Sequence, residues 1–73
     1  MAEIIAQSGM RYLARIDAGW VRIIDTEEKT VGPRVAEAQA LANGIWEPIP
    51  DDSSILEKSR NYQWQKLPEN NQN

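Results

Sequence analysis

Hydrophobic and polar residues alternate along the first third of the chain, which is the pattern of β-strands. Residues 3–8 (EIIAQS) predict a short edge strand that ends at Gly9. Residues 11–17 (RYLARID) and 20–25 (WVRIID) predict the two strands of a β-hairpin, because a short turn containing Gly19 separates them. The pattern therefore predicts an antiparallel sheet at the start of the chain.

The turn of this hairpin can be built in two ways, and each gives the strands a different register. A two-residue turn at residues 18–19 pairs Ile16 with Val21. It also sets Arg15 opposite Arg22, although like charges directly opposed destabilise a sheet. We adopt this register because it gathers the apolar side chains on one face. That face consists of Tyr12, Ala14, Ile16, Val21 and Ile23.

A three-residue loop at residues 17–19 is the open alternative. It pairs Ile16 with Trp20 and sets Arg11 opposite Asp25, which removes the clash between arginines. It also moves Trp20 onto the apolar face. The register therefore decides which surface of the sheet carries the tryptophan.

One helix follows the hairpin in the sequence. Residues 25–30 (DTEEKT) predict a charged loop, and Val31 predicts a third short strand. Pro33 predicts the first turn of a helix, where its missing N–H costs nothing, and Gly44 predicts the end of that helix. The apolar side of the helix consists of Val35, Ala38, Leu41, Ala42 and Ile45. We expect this side to pack on the hairpin.

The last third of the chain predicts a connector, a strand and a tail. Residues 45–54 contain two prolines and predict an extended connector, because proline blocks both helix and central strand. Residues 55–68 predict a final edge strand, since neither of its faces is apolar throughout. We expect residues 1–67 to form a single domain and the polar residues 68–73 to be a disordered tail.

These elements, in the order β-β-β-α-β, predict an α+β fold. A small antiparallel sheet of three or four strands carries one helix packed on one face. The expected core is the apolar face of the hairpin together with the apolar side of the helix.

The chain has 73 residues and a net charge of −3, with no cysteine and no histidine. A domain of this size buries only about 60% of the surface that its unfolded chain exposes, so its stability is marginal. Without cysteine and histidine, the chain cannot form disulfides, thiolate zinc sites or imidazole metal sites. Since small domains often need additional stabilisation, we expect it to come from a homo-oligomer or a larger partner. The absence of cysteine suits a cytoplasmic protein, and no apolar run is long enough to span a membrane.

Catalytic chemistry has few candidates in this sequence. Histidine and cysteine mechanisms are excluded, and the four glycines are isolated rather than clustered in a phosphate-binding loop. The carboxylate pairs at residues 27–28 and 51–52 are sequence neighbours, which point apart in an extended chain. We therefore expect a non-enzymatic protein without a metal or a cofactor.

The basic and aromatic side chains have two interpretations. They form either a solvated face of the sheet, where arginines pair with nearby carboxylates, or a binding face, since arginine beside aromatic residues is typical of anion recognition and of protein interfaces. The candidate ligand or partner face consists of Arg11, Arg15, Trp20, Arg22, Tyr62 and Trp64.

Net charge and size favour capture of a macromolecule as the function. An acidic surface can occupy a basic groove, so we expect a protein partner such as a basic nuclease or toxin, whereas direct nucleic-acid binding is disfavoured. The acidic residues expected to bind this partner are Glu27, Glu28, Asp51 and Asp52. The alternative is an oligomeric protein that binds a small anionic ligand such as a nucleotide, through the arginines and Trp20.

Three segments, "GWVRIID", "GPRVAEAQALANGI" and "PIPDDS", resemble the N-terminal domain of HicB-type antitoxins. The resemblance covers roughly residues 11–68 and implies a partner-binding fold that neutralises a ribonuclease toxin. The chain departs from the family in two respects. The sequence "DTEEKTVG" replaces the family's Pro-x-x-Pro-Gly stretch, and the second, DNA-binding domain is not expected here.

Overall fold

The computed structural model describes residues 2–64, which contain seven short strands and two short helices. In chain order these are β1 (Glu3–Ser8), β2 (Arg11–Asp17), β3 (Trp20–Asp25), β4 (Thr30–Val31), β5 (Val35–Ala36), α1 (Glu37–Ala42), β6 (Glu47–Pro48), α2 (Ser53–Ser59) and β7 (Gln63–Trp64). The strands form one sheet in the order β6-β1-β2-β3-β4-β7, and β5 pairs with β3 beside β4.

The hairpin of β2 and β3 combines the two predicted registers. Its turn has two residues, as adopted above, because Asp17 pairs with Trp20. A bulge at Ile16 then shifts the rest of the ladder, so that Arg11 pairs with Asp25 as in the alternative register. The predicted pairing of Ile16 with Val21 was therefore wrong. The bulge removes the opposed arginines that a regular two-residue hairpin would have created.

This register divides the hairpin's apolar residues between the two faces of the sheet, and the prediction of one shared apolar face was wrong. Leu13 and Val21 are buried on one face, whereas Ala14 and Ile24 are buried on the other. A shift of one residue turns every side chain of a strand to the opposite face. The sheet consequently has a core on both sides.

Each core lies under a different helix. The α1 face has a buried cluster of Ala6, Leu13, Val21 and Ala40. The α2 face has a buried cluster of Ile4, Ala14, Ile24, Val31 and Ile55. Burial on both faces explains why the strands carry so many apolar residues at consecutive positions.

The predicted fold class was wrong. We expected three or four antiparallel strands with one helix, but the sheet has seven strands and a helix on each face. The sheet is mixed because β4 and β7 pair in parallel. The element that the sequence interpretation missed is α2. Asp52 caps this helix by accepting a hydrogen bond of 3.0 Å from the backbone N–H of Ser54.

The last predicted strand, residues 55–68, was wrong over its first part. Residues 55–59 belong to α2, where Ile55 packs into the core, and β7 covers only Gln63 and Trp64. Residues 60–62 form the turn between α2 and β7. Residues 65–68 of the predicted strand and the predicted tail, residues 68–73, lie outside the described residues. The proline-containing connector is free of helix as predicted up to residue 52, whereas Ser53 and Ser54 belong to α2. Its β6 segment pairs with the edge of β1.

The predicted helix from Pro33 starts four residues later than expected. Val35 and Ala36 form β5, which pairs with β3, and the helix begins at Glu37. Of the expected apolar side, Val35 packs against the core, but from β5, whereas Ala38, Leu41, Ala42 and Ile45 are exposed. Ala40 is buried instead, and Leu41 and Ile45 are 42% and 89% exposed. Within residues 2–64, no helix is both long and apolar enough to cross a membrane.

Candidate functional site

A groove on the α1 face is the best candidate for a binding site. It has a volume of about 530 Å³ and lies between α1 and the neighbouring strands β3 and β5. We call it the tryptophan groove. The lining residues that matter for recognition are Arg11, Trp20, Ile23, Arg34, Val35 and Trp46. A concave site with an apolar floor and a few polar groups is typical of small-molecule binding.

The groove exists because the chain interrupts its pairing with β3. Between β4 and β5, the only backbone–backbone hydrogen bond to β3 among the described residues is donated by the N–H of Gly32 to the carbonyl of Ile23, at 2.8 Å. Pro33 and Arg34 leave the ladder, and β5 then resumes pairing opposite Trp20 and Val21. The interruption brings Arg34 to the edge of the groove.

Trp46 forms the wall of the groove and is fixed by two contacts. Its indole N–H donates a hydrogen bond of 3.1 Å to the carbonyl of Ala40 in α1. The ring also packs against Gly44 so closely that a Cβ there would lie 2.8 Å from Nε1. The absence of a side chain at Gly44 therefore allows the tryptophan to occupy this position.

Arg34 lies over the ring of Trp20, with its guanidinium carbon 4.6 Å from the ring centroid. This distance is that of a cation–π contact. In residues 2–64, no carboxylate lies within 4.0 Å of the Arg34 guanidinium. The side chain is thus oriented by an aromatic ring, and its positive charge is not neutralised by an ion pair in this part of the chain.

Arg11 stands at another edge of the groove. Its side chain is 63% exposed, and Nε donates one long hydrogen bond of 3.4 Å to Asp25. Hydrogen bonds from the backbone N–H groups of Glu28 and Glu27, together with Arg11, lower the pKa of Asp25. Arg11 keeps its terminal NH₂ groups available, because a guanidinium has five N–H donors.

Arg15 was expected to share the binding face with Arg11, but its guanidinium already donates hydrogen bonds to carboxylates within the protein. It makes hydrogen bonds of 2.8 and 2.9 Å to both oxygens of Glu37 and a third, of 2.9 Å, to Glu3. The bonds to Arg15 lower the pKa of Glu37. This ion pair joins α1 to the sheet, so Arg15 has a structural role and not a free binding position.

The other predicted residues lie on the α2 face. Arg22 donates a 2.7 Å hydrogen bond to the carbonyl of Gly32 and lies 5.0 Å from the ring centroid of Trp64. Tyr62 packs against the core under α2. The structure therefore does not unite the predicted binding face. It brings Arg11 and Trp20 to the groove and leaves Arg22, Tyr62 and Trp64 on the opposite side of the sheet.

The four predicted acidic residues do not form one surface either. Glu27 and Glu28 are exposed in the β3–β4 loop, whereas Asp51 accepts a hydrogen bond of 2.8 Å from the N–H of Ile4. Asp52 caps α2, and its hydrogen bonds from Ser54 lower its pKa. The β3–β4 loop follows Asp25, which lies in line with Ser8 at the end of β1, whereas Asp51 is bound at Ile4, near the start of β1.

Two residues of the groove were missed in the sequence. Arg34 lay within the predicted helix and Trp46 within the predicted extended connector, and neither was among the candidate site residues. The number of tryptophans, three in 73 residues, was the available signal. Their positions could not be inferred, because the interrupted pairing between β4 and β5 depends on contacts distant in sequence.

No protein-family model, no curated protein and no solved structure is similar to this chain. The resemblance to HicB-type antitoxins therefore stays a prediction. Interpretation of function rests on the geometry of the groove.

Proposed function

We propose that this protein is a non-enzymatic binding protein whose tryptophan groove holds a small anionic ligand with a planar ring, such as a nucleotide. One observation carries the proposal: two tryptophans and two incompletely neutralised arginines line one cavity of about 530 Å³. This is the alternative function inferred from the sequence. The proposed site keeps Arg11 and Trp20 from the predicted face. Arg34 and Trp46 take the place of Arg15 and Arg22, which the sequence had suggested.

The chemistry of the lining supports such a ligand. Guanidinium groups donate paired hydrogen bonds to phosphate or carboxylate oxygens. Indole rings offer flat apolar surfaces for stacking, and Trp20 is 39% exposed. The volume also falls in the range of about 300–1,000 Å³ that is usual for ligand pockets.

A homo-oligomer in the cytoplasm remains part of the proposal. Leu41 and Ile45 expose apolar surface on α1 and just after it, which supports association of copies. The lack of cysteine supports a reducing compartment.

Capture of a basic macromolecular partner, such as a nuclease or toxin, is retained as the second candidate. It is favoured by one feature of the β3–β4 loop. Asp25 accepts hydrogen bonds of 3.0 Å from the backbone N–H groups of both Glu27 and Glu28. These bonds preorganise the loop, and the two glutamate side chains remain exposed to a partner.

A titration with nucleoside phosphates, followed by tryptophan fluorescence and thermal unfolding, tests the ligand proposal. At ten times Kd the ligand should stabilise the fold by about 1.4 kcal/mol, which is several degrees in Tm for a domain of this size. Arg34→Gln should weaken binding about tenfold, as expected for a lost charged hydrogen bond. The matched control is Arg60→Gln, since Arg60 lies on the C-cap of α2 away from the groove. Absence of stabilisation by every phosphorylated or carboxylated aromatic compound would contradict the proposal.

A further inference from the structure

We propose that the ligand of the tryptophan groove is a linear dinucleotide with a phosphate at each end, an inference that rests on the function proposed above. The reason is the separation of the two cationic positions. Arg11 and Arg34 do not converge on one point of the groove, as they would around a single phosphate.

The strand pairing gives the distance between these positions. Arg11 is held beside Asp25, the last residue of β3, whereas Arg34 lies over Trp20, the first residue of the same strand. Five residue steps separate the two ends of β3, or about 16 Å at roughly 3.3 Å per residue.

The floor between the two arginines is apolar. Ile23 and Val35 line it, and among the described residues no carboxylate is part of the lining. Trp46 stands on the α1 side and Trp20 at the Arg34 end. The groove thus presents a cation, an apolar stretch with two rings, and a second cation.

A nucleoside 5′-mono-, di- or triphosphate cannot satisfy both ends, because all its phosphates are attached through one carbon of the sugar. A dinucleotide with both terminal phosphates offers two bases for two indoles and two terminal charges for two guanidiniums. Its bridging phosphodiester is left to the uncharged polar side chains of the lining, Ser8, Gln39 and Asn43. Base stacking on aromatic side chains is worth roughly 1–3 kcal/mol per base, so both rings contribute to affinity.

Acidic residues beyond the groove limit the length of the ligand. Glu27 and Glu28 follow Asp25 at the Arg11 end, and Asp17 pairs with Trp20 at the other end. Their carboxylates repel a phosphate chain that extends past either arginine. This agrees with the net charge of −3, which disfavours binding of long nucleic acids.

Isothermal titration of the intact chain with a matched series of oligoadenylates tests the inference. The series comprises adenosine monophosphate, the dinucleotide with one terminal phosphate, the dinucleotide with two, and the tetranucleotide with two. We expect the doubly phosphorylated dinucleotide to bind at least tenfold more tightly than the singly phosphorylated one. The tetranucleotide should bind no more tightly than the dinucleotide.

Two substitutions test whether Arg11 and Arg34 each bind one terminal phosphate of the ligand. Arg11→Gln and Arg34→Gln should each reduce the affinity for the doubly phosphorylated dinucleotide to near that of the singly phosphorylated one, and Arg60→Gln should leave it unchanged. Circular dichroism of each variant verifies that it is folded.

The outcomes separate this inference from the function proposed above. If adenosine monophosphate binds as tightly as the doubly phosphorylated dinucleotide, and Arg34→Gln weakens both, the groove binds nucleotides but the two-ended ligand is wrong. Affinity that keeps rising with the tetranucleotide also overturns it. If no member of the series binds, the dinucleotide inference fails, and the broader titration described above decides the proposed function separately.

Discussion

Arg15 in β2 and Glu37 at the first position of α1 form a paired hydrogen-bonded contact, with N–O distances of 2.8 and 2.9 Å. A second bond supports the same junction, since the backbone N–H of Glu37 donates to the carbonyl of Gly19 at 2.9 Å. Together they fix where α1 begins relative to the sheet. Because α1 supplies one side of the tryptophan groove, this junction also determines the shape of the groove.

Loss of the Arg15–Glu37 contact should destabilise the fold. In Arg15→Gln the two carboxylates that it holds, Glu37 and Glu3, lose their common partner and repel each other. We expect a lower urea midpoint than for the wild type. Arg60→Gln is the matched control, because within residues 2–64 Arg60 makes a single, surface ion pair, a 3.9 Å contact with Glu57. Equal midpoints for the two variants would contradict a structural role for Arg15.

Stability should fall in acid through Glu37 and Asp25. The folded protein lowers the pKa of both carboxyls below their ordinary values of 4.5 and 3.8. Their contribution is therefore fully present above those values and is lost as pH falls through the lowered pKa of each group. Urea unfolding between about pH 6 and about pH 3 measures this loss. In Glu37→Gln the acid-dependent part should be smaller, and an unchanged pH profile would contradict the assignment.

A methyl group at Gly44 should displace Trp46. In Gly44→Ala the new Cβ would meet Nε1 of Trp46 at 2.8 Å, so the indole has to move and its bond to Ala40 is weakened. We expect a change in tryptophan fluorescence and a loss of about 1–3 kcal/mol, as for other overpacked sites. Gly32→Ala is the control, because its Cβ would come no closer than 3.5 Å to the atoms around it. A wild-type emission spectrum for Gly44→Ala would show that the wall of the groove is not fixed in this way.

Truncation to alanine should cost much stability at Ile55 and almost none at Ile45. Ile55 is 5% exposed in the α2 core, so Ile55→Ala should cost about 2–5 kcal/mol. Ile45 is 89% exposed, and Ile45→Ala should change the stability of the monomer by less than about 0.5 kcal/mol. Urea unfolding of both variants at low protein concentration provides the comparison. The reverse order would support the fold expected from the sequence, in which Ile45 belonged to the core.

Reversal of charge in the β3–β4 loop should affect partner binding but not the fold. Glu27→Lys with Glu28→Lys changes two exposed side chains, so stability should stay within about 0.5 kcal/mol of the wild type. Binding to a purified basic nuclease or toxin, if one is the partner, should weaken strongly and lose its salt dependence. Asp17→Lys, an exposed reversal in the other turn, is the control. Unchanged affinity in the double variant would remove the acidic loop from the interface.

The sequence by itself determined the β-hairpin of residues 11–25 and the extended segment around Pro48 and Pro50, and it narrowed the turn of the hairpin to two forms. These features depend on alternation, on Gly19 and on proline, which act within a few residues. It also determined that histidine and cysteine chemistry is absent. The same local logic predicted a helix after Pro33, and Glu37–Ala42 is its helical part.

The tertiary structure decided the register, the sidedness of the sheet and the groove. A bulge at Ile16 and the pairing of Val35 with Val21 are contacts between strands, and their free energy depends on neighbours that a local pattern does not contain. Both faces of the sheet became buried because α2 was available to cover the second one. The arginines and tryptophans were visible in the sequence, but only strand pairing could decide which of them share one cavity.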